Sequence, residues 1–523
     1  MTTGRNFWQL LEARVAATPD GLLAIDERGE RITFAEYLAR AESVAAGLAP
    51  LGIAEGTPVA WQLPTWIESM VLMGALWRLG AVQVPLIPTY RGREVSFIVN
   101  QTGARMLIVP SVWRKFDYRA MADAIAAQND GLEVMEVDTE LRRLPEGDAS
   151  TLAPVPPPAA RDEDYPIRWL YYTSGTTSQS KGTRHTDATL LGAVAGMLPL
   201  LELGPGDRNS MVFPFAHIGG VVWLLTSFVG GSTHLLAESF DPAITIPMLA
   251  ANGVTLAGIG TPFNLAYLAA QRELSASSPG TRLFPDVRAF MSGASPKPPS
   301  LHAELQEAFG GTGIISSYGM TEAPILTYCS GAAPDDRRAT TEGVASPGVQ
   351  IRIVQADGEQ AGPGRVGEIR ITGPQLCKGY LDGSLNGDAF DEDGFLRTGD
   401  LGMLDADGYL TIVGRLKDVI IRNGENISAK EVEDLLFLHP AVRDVAVIGL
   451  ADPRVGERCC AVVALEASVP ALDFEGMTSF LKGHDLMTQK IPEQLEILDV
   501  IPRDTFGKVL KDQLRNRFAP ASR

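Results

Sequence analysis

One twelve-residue segment constrains this chain more than any other. Residues 171–182 read YYTSGTTSQSKG and follow a short apolar run, residues 167–170, that predicts a buried strand. Glycine and small hydroxylated residues let backbone N–H groups converge on an anion, and the lysine adds positive charge. The segment therefore predicts a phosphate-binding loop attached to a strand, although similar clusters also form ordinary solvated turns.

The lysine of this loop is not placed as in a Walker A motif. That motif has a glycine before the lysine and a Ser or Thr after it, whereas here Ser180 precedes Lys181 and Gly182 follows. The loop is thus a different kind of phosphate site, and the rest of the chain must show which kind.

Chain length and patterning indicate an α/β protein of at least two domains. A chain of 523 residues exceeds what one hydrophobic core usually serves. Thr33 and Glu36 have the spacing of a capping box at a helix start, and apolar runs at residues 81–87 and 105–109 alternate with segments of helical spacing. This alternation is typical of a substantially parallel sheet.

Charge and cysteine content exclude several classes of function. The net charge of −18 argues against nucleic acid as a partner, because phosphate backbones require clustered basic surface. The four cysteines lack C-x-x-C spacing, which favours neither a zinc site nor a disulfide framework. No secretory signal begins the chain, and its apolar runs are too short or too interrupted to span a bilayer. We therefore expect a cytoplasmic protein without stable membrane insertion.

Four further motifs follow the loop in a fixed order. They are SYGMTE at Ser317–Glu322, RTGD at Arg397–Asp400, GRLKD at Gly414–Asp418 and PRDTFGK at Pro502–Lys508. With the loop, they resemble the adenylate-forming superfamily of acyl-CoA synthetases, aryl-CoA ligases, luciferase and peptide-synthetase adenylation domains. The resemblance runs from about residue 34 to residue 510. Ser178 and Ser180 depart from it, standing where Gly and Pro are common.

The resemblance implies a two-domain α/β architecture. A large N-terminal adenylate-forming domain with mixed sheets and helices would span residues 1–414. A small, mobile α+β domain would span residues 415–523, with a hinge near Lys417.

The resemblance also implies roles for individual side chains around a nucleotide. Tyr318 would stack on adenine, Thr321 would meet the α-phosphate and Glu322 would hold Mg²⁺. Asp400 would accept the ribose hydroxyls, and Arg415 would reach the ribose. The full nucleotide-binding set is Thr173, Ser174, Gly175, Thr176, Thr177, Lys181, Gly293, Ala294, Ser295, Ser317, Tyr318, Gly319, Met320, Thr321, Asp400 and Arg415.

Three further groups of residues are implied for the acid, the thiol and the chemistry. The acyl pocket would be lined by His217, Gly219, Gly220, Trp223, Gly258 and Gly260. The coenzyme A tunnel would be lined by Asn423, Gly424 and Glu425. The catalytic residues would be Lys508, Glu322, Thr176 and His217. Individually, such residues are commonly a core histidine, a turn aspartate or a solvated lysine.

The function implied is an AMP-forming acid–CoA ligase that uses ATP, Mg²⁺ and coenzyme A. No acidic residue occurs between Phe213 and Gly231, which disfavours an amino acid substrate. The wording TRHTD at 183–187 and RNGENISAKEVED at 422–434 is similar to bacterial ligases for medium-chain, alicyclic or steroid-derived acids. A ligase that loads a separate acyl carrier protein and a non-catalytic nucleotide sensor remain alternatives, and a homodimer is left open.

Overall fold

The apolar segments that alternate along the first half of the chain form parallel strands, and the helices between them cover the sheets. The computed structural model describes residues 6–173, 180–293, 297–311, 313–422, 425–466, 472–504 and 507–519. Of residues 425 and 426 only the backbone is described.

Helices occur throughout the described residues. In chain order they are α1 (Phe7–Ala17), α2 (Phe34–Leu48), α3 (Ile67–Arg78), α4 (Gly92–Thr102), α5 (Tyr118–Ala126), α6 (Asp187–Leu201), α7 (Ile218–Gly230), α8 (Pro242–Ala251), α9 (Thr261–Ser277), α10 (Pro299–Phe309), α11 (Asp335–Thr340), α12 (Asn386–Ala389), α13 (Ala429–Leu436), α14 (Phe474–Gly483) and α15 (Lys511–Phe518).

The strands of the first half precede or alternate with these helices. They are β1 (Leu22–Asp26), β2 (Arg31–Thr33), β3 (Pro58–Trp61), β4 (Val82–Pro85), β5 (Met106–Pro110), β6 (Val112–Trp113), β7 (Phe116–Asp117), β8 (Glu133–Val137), β9 (Trp169–Thr173), β10 (Lys181–His185), β11 (Arg208–Met211), β12 (Thr233–Leu236), β13 (Leu256–Gly258), β14 (Ala289–Ser292) and β15 (Ile314–Ser316).

The strands of the second half are mostly antiparallel. They are β16 (Thr327–Tyr328), β17 (Val344–Ala345), β18 (Gln350–Val354), β19 (Gly367–Thr372), β20 (Leu396–Leu404), β21 (Leu410–Arg415), β22 (Val419–Arg422), β23 (Glu425–Ser428), β24 (Val442–Asp452), β25 (Gly456–Leu465) and β26 (Gln494–Ile497).

Two large sheets dominate the first half of the chain. One has the strand order β15-β14-β13-β11-β12-β1-β2, and the other has the order β10-β9-β4-β3-β5-β8. Within each sheet the pairs are parallel except at one edge, where β1–β2 and β9–β10 are antiparallel. The expected parallel α/β pattern is confirmed, and the antiparallel edges make both sheets mixed.

The main hydrophobic core lies between these two sheets. It combines the buried faces of α1, α2, α3, α6 and α7 with side chains from both sheets. A second core joins α8, α9 and α10 to the outer face of the seven-stranded sheet, and another joins α4 and α5 to the outer face of the six-stranded sheet. The result is a layered arrangement in which each sheet is covered on both faces.

One buried carboxylate fixes the position of the first helix in this core. Asp187, at the start of α6, accepts hydrogen bonds from the indole N–H of Trp77 at 2.8 Å and of Trp169 at 3.2 Å, and from the backbone N–H of Phe7 at 3.3 Å. Burial raises its pKa above the ordinary value. The three donors and the helix N-terminus compensate the buried charge and tie α1, α3, β9 and α6 together.

Local sequence signals explain several helix boundaries. The capping box expected at Thr33 and Glu36 is present, because each side chain bonds the other's backbone N–H at the start of α2. Ser428 likewise caps α13 by accepting from the N–H of Glu431. Among the described residues, no helix is long and apolar enough to cross a lipid bilayer.

Two smaller sheets follow in the second half. β18, β19, β20 and β21 form an antiparallel sheet that ends at Arg415. Leu416–Asp418 makes a single 3-10 turn, after which β22 enters a sheet of order β23-β22-β25-β24, with β26 alongside β25. Buried side chains pack on both faces of this last sheet.

Candidate active site

Four predicted segments leave the same edge of the seven-stranded sheet. Residues 213–220 follow β11, Gly258 ends β13, Gly293 follows β14 and residues 317–322 follow β15. These four strands are parallel neighbours, so their carboxyl ends meet at one edge. Segments far apart in sequence are thereby brought to one side of the molecule, where ligands of α/β folds usually bind.

The predicted phosphate loop lies between two antiparallel strands of the other large sheet. Thr173 ends β9 and Lys181 begins β10, and the two residues are register partners. Residues 174–179, which include Ser174, Gly175, Thr176 and Thr177, lie outside the described residues, as do Ala294 and Ser295. The structure therefore places both ends of the loop, and the contacts of the loop itself stay a prediction.

Asp400 lies at the meeting point of two predicted nucleotide motifs. Its Oδ2 accepts a hydrogen bond from the Tyr318 hydroxyl at 2.7 Å, and its Oδ1 pairs with Nε of Arg415 at 2.9 Å. Asp400 and Arg415 are register partners on β20 and β21. Each carboxylate oxygen has a second lone pair, so the buried group keeps acceptor capacity for hydroxyls such as a ribose diol.

Tyr318 is the donor that orients this carboxylate. Burial and the charge of Asp400 raise the pKa of Tyr318 well above its ordinary value, so the phenol stays protonated and donates. The structure thus gives Tyr318 a contact that the motif did not predict, since sequence reasoning assigned it only to stacking on adenine. Stacking remains a prediction.

Glu322 and Lys181 are joined through a third side chain, Tyr380. The Tyr380 hydroxyl donates to Oε1 of Glu322 at 2.8 Å, and the Lys181 ammonium lies over the Tyr380 ring, 5.3 Å from its centroid. Glu322 and Tyr380 are both buried. The predicted metal ligand, Glu322, and the predicted phosphate-binding lysine, Lys181, therefore contact the same tyrosine.

His185 holds the backbone of the same motif. Its Nε2 lies 2.9 Å from the carbonyl oxygen of Thr321, and its Nδ1 lies 3.0 Å from Oγ1 of Thr189. A carbonyl oxygen only accepts, so Nε2 carries the proton of the neutral ring. Burial lowers the pKa of His185 to about 4, which keeps it neutral at pH 7.

The other members of this motif shape its backbone. Ser317 N–H donates to the carbonyl of Ser292 at 3.2 Å, next to Gly293. Met320 and Ala323 exchange hydrogen bonds of 3.1 Å across a tight turn. A Cβ added at Gly319 would lie 2.5 Å from the backbone nitrogen of Ile325, so only glycine fits there.

Sequence reasoning missed the contacts of Tyr380 and His185. No site contact is assigned to Tyr380 from the sequence, and His185 is included only as part of the wording TRHTD. The signal for Tyr380 is tertiary, because residue 380 bridges to Thr183 only after the chain returns alongside β10. For His185, a histidine within a half-buried strand directly after the loop was the available signal.

His217 is the N-cap residue of α7 in the predicted acyl pocket. Its Nδ1 accepts from the backbone N–H of Gly219 at 3.1 Å, so the proton of the neutral ring is on Nε2. Burial lowers the pKa of His217 to about 4. This part of the pocket is therefore polar but uncharged at pH 7.

The remaining predicted pocket residues lie along α7 and at the end of β13. A Cβ at Gly220 would lie 2.0 Å from the Phe215 carbonyl oxygen, which explains the glycine as a close backbone approach. Trp223, four residues after Gly219 and so on the same helix face, is buried and packs nearly perpendicular to the ring of His234. Gly258 ends β13, and Gly260 caps α9.

Lys508 lies within electrostatic reach of the Asp400–Arg415 pair. Its pKa is lowered to about 8, first by burial and then by the charges of Arg415 and Lys417, while the charges of Asp504 and Asp400 oppose this shift. The adjacent Gly507 packs directly on Pro262 at the start of α9: a Cβ there would lie 2.2 Å from Cγ of that proline. The described conformation therefore brings the predicted catalytic lysine to the predicted nucleotide site.

The predicted hinge residue, Lys417, is exposed in the turn between the two smaller sheets. Partial desolvation nonetheless lowers its pKa, and the neighbouring Asp418 forms an ion pair with Arg515 of α15 at 2.8 Å. Asn423 and Gly424, predicted for the thiol tunnel, lie outside the described residues, and Glu425 is described only as the first backbone position of β23. Hinge and tunnel stay predictions, as does the boundary at 414/415.

The donor set at Glu322 fits Mg²⁺ bound together with phosphates. Within the described ranges, no group of three or more His, Cys, Asp or Glu side chains is arranged to hold a metal alone. Mg²⁺ is usually bound through one or two carboxylates, water and substrate phosphates, so a single buried carboxylate beside a phosphate loop suits it.

Family models match both parts of the chain. The model described as AMP-binding enzyme matches residues 11–381, and the model of the AMP-binding enzyme C-terminal domain matches residues 431–508. The chain belongs to the AMP-binding enzyme family. The expected adenylate-forming α/β fold is thereby confirmed, as is the class of AMP-forming acid–CoA ligase using ATP, Mg²⁺ and coenzyme A.

Individual relatives have similar length. A medium-chain fatty-acid–CoA ligase of Escherichia coli is 30% identical over 98% of this chain and 89% of its own length. A feruloyl-CoA synthase of an Amycolatopsis species is 31% identical over 98% of this chain and 99% of its own. The crystal structure of ATP-bound MatB from Rhodopseudomonas palustris superposes with a TM-score of 0.85 at 28% identity, covering 98% of this chain and 99% of that one.

Proposed function

We propose that this enzyme activates an apolar carboxylic acid, of medium-chain, alicyclic or steroid-derived type, as its acyl-adenylate and then transfers the acyl group to coenzyme A. One observation carries the proposal. Lys508 and the buried Asp400–Arg415 pair come together at the edge where Glu322 and the ends of the phosphate loop lie.

In the first half-reaction a carboxylate must approach an anionic α-phosphate. Catalysis is then mainly positioning and charge neutralisation. Lys508, charged at pH 7 with a pKa of about 8, would bridge the substrate carboxylate and the α-phosphate. The new carboxylate–phosphorus bond forms as the bond to pyrophosphate breaks, and Lys181 would stabilise the departing charge.

The remaining nucleotide contacts would hold the substrate in place. Asp400 would accept the ribose hydroxyls while Tyr318 and Arg415 hold its two oxygens. Glu322 would hold Mg²⁺, which neutralises phosphate charge when bound. Thr321 would contact the α-phosphate, with its carbonyl held by His185.

The pocket chemistry supports an apolar acid. Apart from His217, residues 213–231 carry no acidic or basic side chain, and His217 is neutral at pH 7 because burial lowers its pKa to about 4. A second charged group on the substrate would find no partner there, and burying an unpaired charge is costly. Trp223 would close the pocket at the next turn of α7.

In the second half-reaction the thiol of coenzyme A would attack the acyl carbonyl and release AMP. Lys508 occupies the approach to that carbonyl in the first half-reaction. We infer that residues after the turn rotate about Lys417, which withdraws Lys508 and brings the segment at Asn423, Gly424 and Glu425 to the acceptor.

The test is AMP release measured across acids of graded length and ring content, with coenzyme A, with a separate acyl carrier protein, and with neither. Lys508→Ala provides the background rate. We expect coenzyme A-dependent AMP release that is greatest for an acid with an uncharged tail.

Turnover with the carrier protein alone would overturn the choice of acceptor. Absence of acid-dependent pyrophosphate release would indicate a nucleotide-binding sensor instead of an enzyme. A preference for dicarboxylic or sulfonated acids would contradict the apolar pocket.

A further inference from the structure

Tyr380 is fixed in place independently of the ligands it faces. Its backbone N–H donates to Oδ1 of Asn386 at 2.9 Å, and it forms an antiparallel bridge with Thr183. The next residue, Leu381, donates its N–H to the carbonyl of Gly182 at 2.7 Å. Residue 380 therefore moves with β10, the strand that begins at Lys181.

The Tyr380 hydroxyl occupies one oxygen of Glu322. It donates to Oε1 at 2.8 Å, and the backbone carbonyl of Glu322 accepts from Cys377 N–H at 2.8 Å. An ionised carboxylate only accepts hydrogen bonds, so the Tyr380 hydroxyl is the donor of this pair. A carboxylate held by one oxygen presents the other in a defined direction, which a metal ligand requires.

The same tyrosine contacts both the predicted phosphate lysine and the predicted metal ligand. The Lys181 ammonium lies over the face of the Tyr380 ring, while the Tyr380 hydroxyl donates a hydrogen bond to Oε1 of Glu322. Among the described residues, no ion pair of 4.0 Å or less joins Lys181 to a carboxylate. The lysine thus remains able to turn toward a polyphosphate, and the carboxylate remains able to take a cation.

We propose that Tyr380 is a positioning residue that orients Glu322 toward Mg²⁺ and couples it to Lys181 of the phosphate loop. The inference rests on the proposed function, because it concerns the same nucleotide site. Tyr380 would act through the Glu322 carboxylate that its hydroxyl contacts.

The direct test is Tyr380→Phe, which keeps the ring under Lys181 and removes the hydroxyl alone. Mg²⁺ is titrated at fixed ATP, and the rise in Tm over ATP without metal is recorded, since a ligand that binds the folded state raises Tm. We expect the Mg²⁺ concentration that gives half of the maximal rise in Tm to be about tenfold higher in Tyr380→Phe than in the wild type. Losing the hydrogen-bond partner of a metal ligand typically weakens metal binding on this scale. Mg²⁺ dependence of ATP–pyrophosphate exchange should shift equally, with the rate at saturating metal changed less.

Tyr37→Phe is the matched control. Tyr37 is also fully buried and donates its hydroxyl to a backbone carbonyl, that of Met70 at 3.0 Å, within the core between the sheets. It should lower Tm without ligands and leave the Mg²⁺ titration unchanged. An equal Mg²⁺ response in Tyr380→Phe and wild type would overturn the inference.

A double-mutant cycle with Glu322→Gln separates positioning from a general packing effect. If Tyr380 acts through the Glu322 carboxylate, adding Tyr380→Phe to Glu322→Gln changes the Mg²⁺ response no further. Additive losses would contradict the proposal. If the wild type does not catalyse acid-dependent ATP–pyrophosphate exchange, the proposed function is wrong. The Mg²⁺ titration followed by Tm still tests the role of Tyr380 in that case.

Discussion

Asp400 and Arg415 face each other across neighbouring antiparallel strands, with Oδ1 and Nε 2.9 Å apart, and the second oxygen of Asp400 is held by Tyr318. A buried carboxylate with both oxygens oriented is preorganised before any ligand arrives. Its charge is balanced by the arginine, so the structure tolerates it without a ligand.

We expect Asp400→Asn to raise the KM for ATP about 10- to 100-fold, because a hydrogen bond to a charged group contributes about 1.5–3 kcal/mol. ATP–pyrophosphate exchange measures the effect. Asp123→Asn is the control: it removes an exposed ion pair with Arg119, and such pairs contribute little. An unchanged KM for ATP in Asp400→Asn would remove this residue from the nucleotide site.

Lys508→Ala should reduce acyl-adenylate formation by at least about 100-fold and preserve thioester formation from supplied acyl-adenylate. The two half-reactions are measured separately, by pyrophosphate release and by consumption of the thiol. Equal loss of both would contradict the assigned division of labour.

The adenylation half-reaction should also lose rate at alkaline pH. Burial lowers the pKa of Lys508 to about 8, so the charged ammonium dominates below that pH and the neutral amine above it. We expect kcat/KM, which reports the free enzyme, to fall about tenfold per unit above pH 8. Lys508→Arg should move this decline to higher pH, even if its rate is lower. A decline at the same pH in both proteins would assign the titration elsewhere.

Gly507→Ala should impair adenylation selectively. The new Cβ would lie 2.2 Å from Cγ of Pro262, and the residue has a φ of +78° that L side chains rarely adopt. Gly408→Ala is the matched control, because Gly408 has a φ of +82° and no neighbour near an added Cβ. Both variants carry backbone strain, but only Gly507→Ala should slow acyl-adenylate formation, by about 10-fold or more. Equal effects would show that the packing on Pro262 is irrelevant to the reaction.

Stability should fall between pH 6.5 and 4. Burial lowers the pKa values of His185 and His217 to about 4 and that of His234 to about 3. Below pH 6.5 the unfolded chain binds protons on these histidines, whereas the folded chain keeps their rings neutral. The full stability is therefore present above pH 6.5. As pH falls further, the free energy of unfolding decreases by about 1.4 kcal/mol per histidine per pH unit.

Thermal melts at pH 7.5 and 5.5 measure this loss as a drop in Tm. We expect His234→Leu to show a smaller drop than the wild type, because one of the buried histidines whose pKa is lowered no longer titrates. His484→Gln, an exposed position, should show the full drop. A full drop in His234→Leu would contradict the assignment.

Motif wording and motif order predicted which segments form the site. Ser317–Glu322, Asp400 and Lys508 were selected because rare residue combinations occur in one order, and the structure brings Tyr318, Asp400 and Lys508 together. Capping at Thr33 and the strands near residues 82–85 and 106–110 follow local rules and were predicted as such. The strand order of the sheets was not predictable, because pairing of parallel strands depends on contacts distant in sequence.

Side-chain partners were the least predictable part of the site. Tyr318 was expected on adenine, yet its hydroxyl bonds a carboxylate 82 residues away. Tyr380 and His185 contact the Thr321–Glu322 motif only because the chain returns beside β10 and because β10 faces the end of β15. Such contacts follow from tertiary packing, and a single sequence carries no periodic or spacing signal for them.

The position of Arg415 as the last residue of β21, directly before the turn at Leu416–Asp418, bears on the order in which products depart. Tyr318 and Asp400 both precede that turn, so rotation about Lys417 would leave their hydrogen bond intact. AMP would then stay bound while the thiol reacts, and it would dissociate after the acyl-CoA product. AMP accumulating in solution is accordingly expected to compete with ATP, and not with the acid, for the empty enzyme.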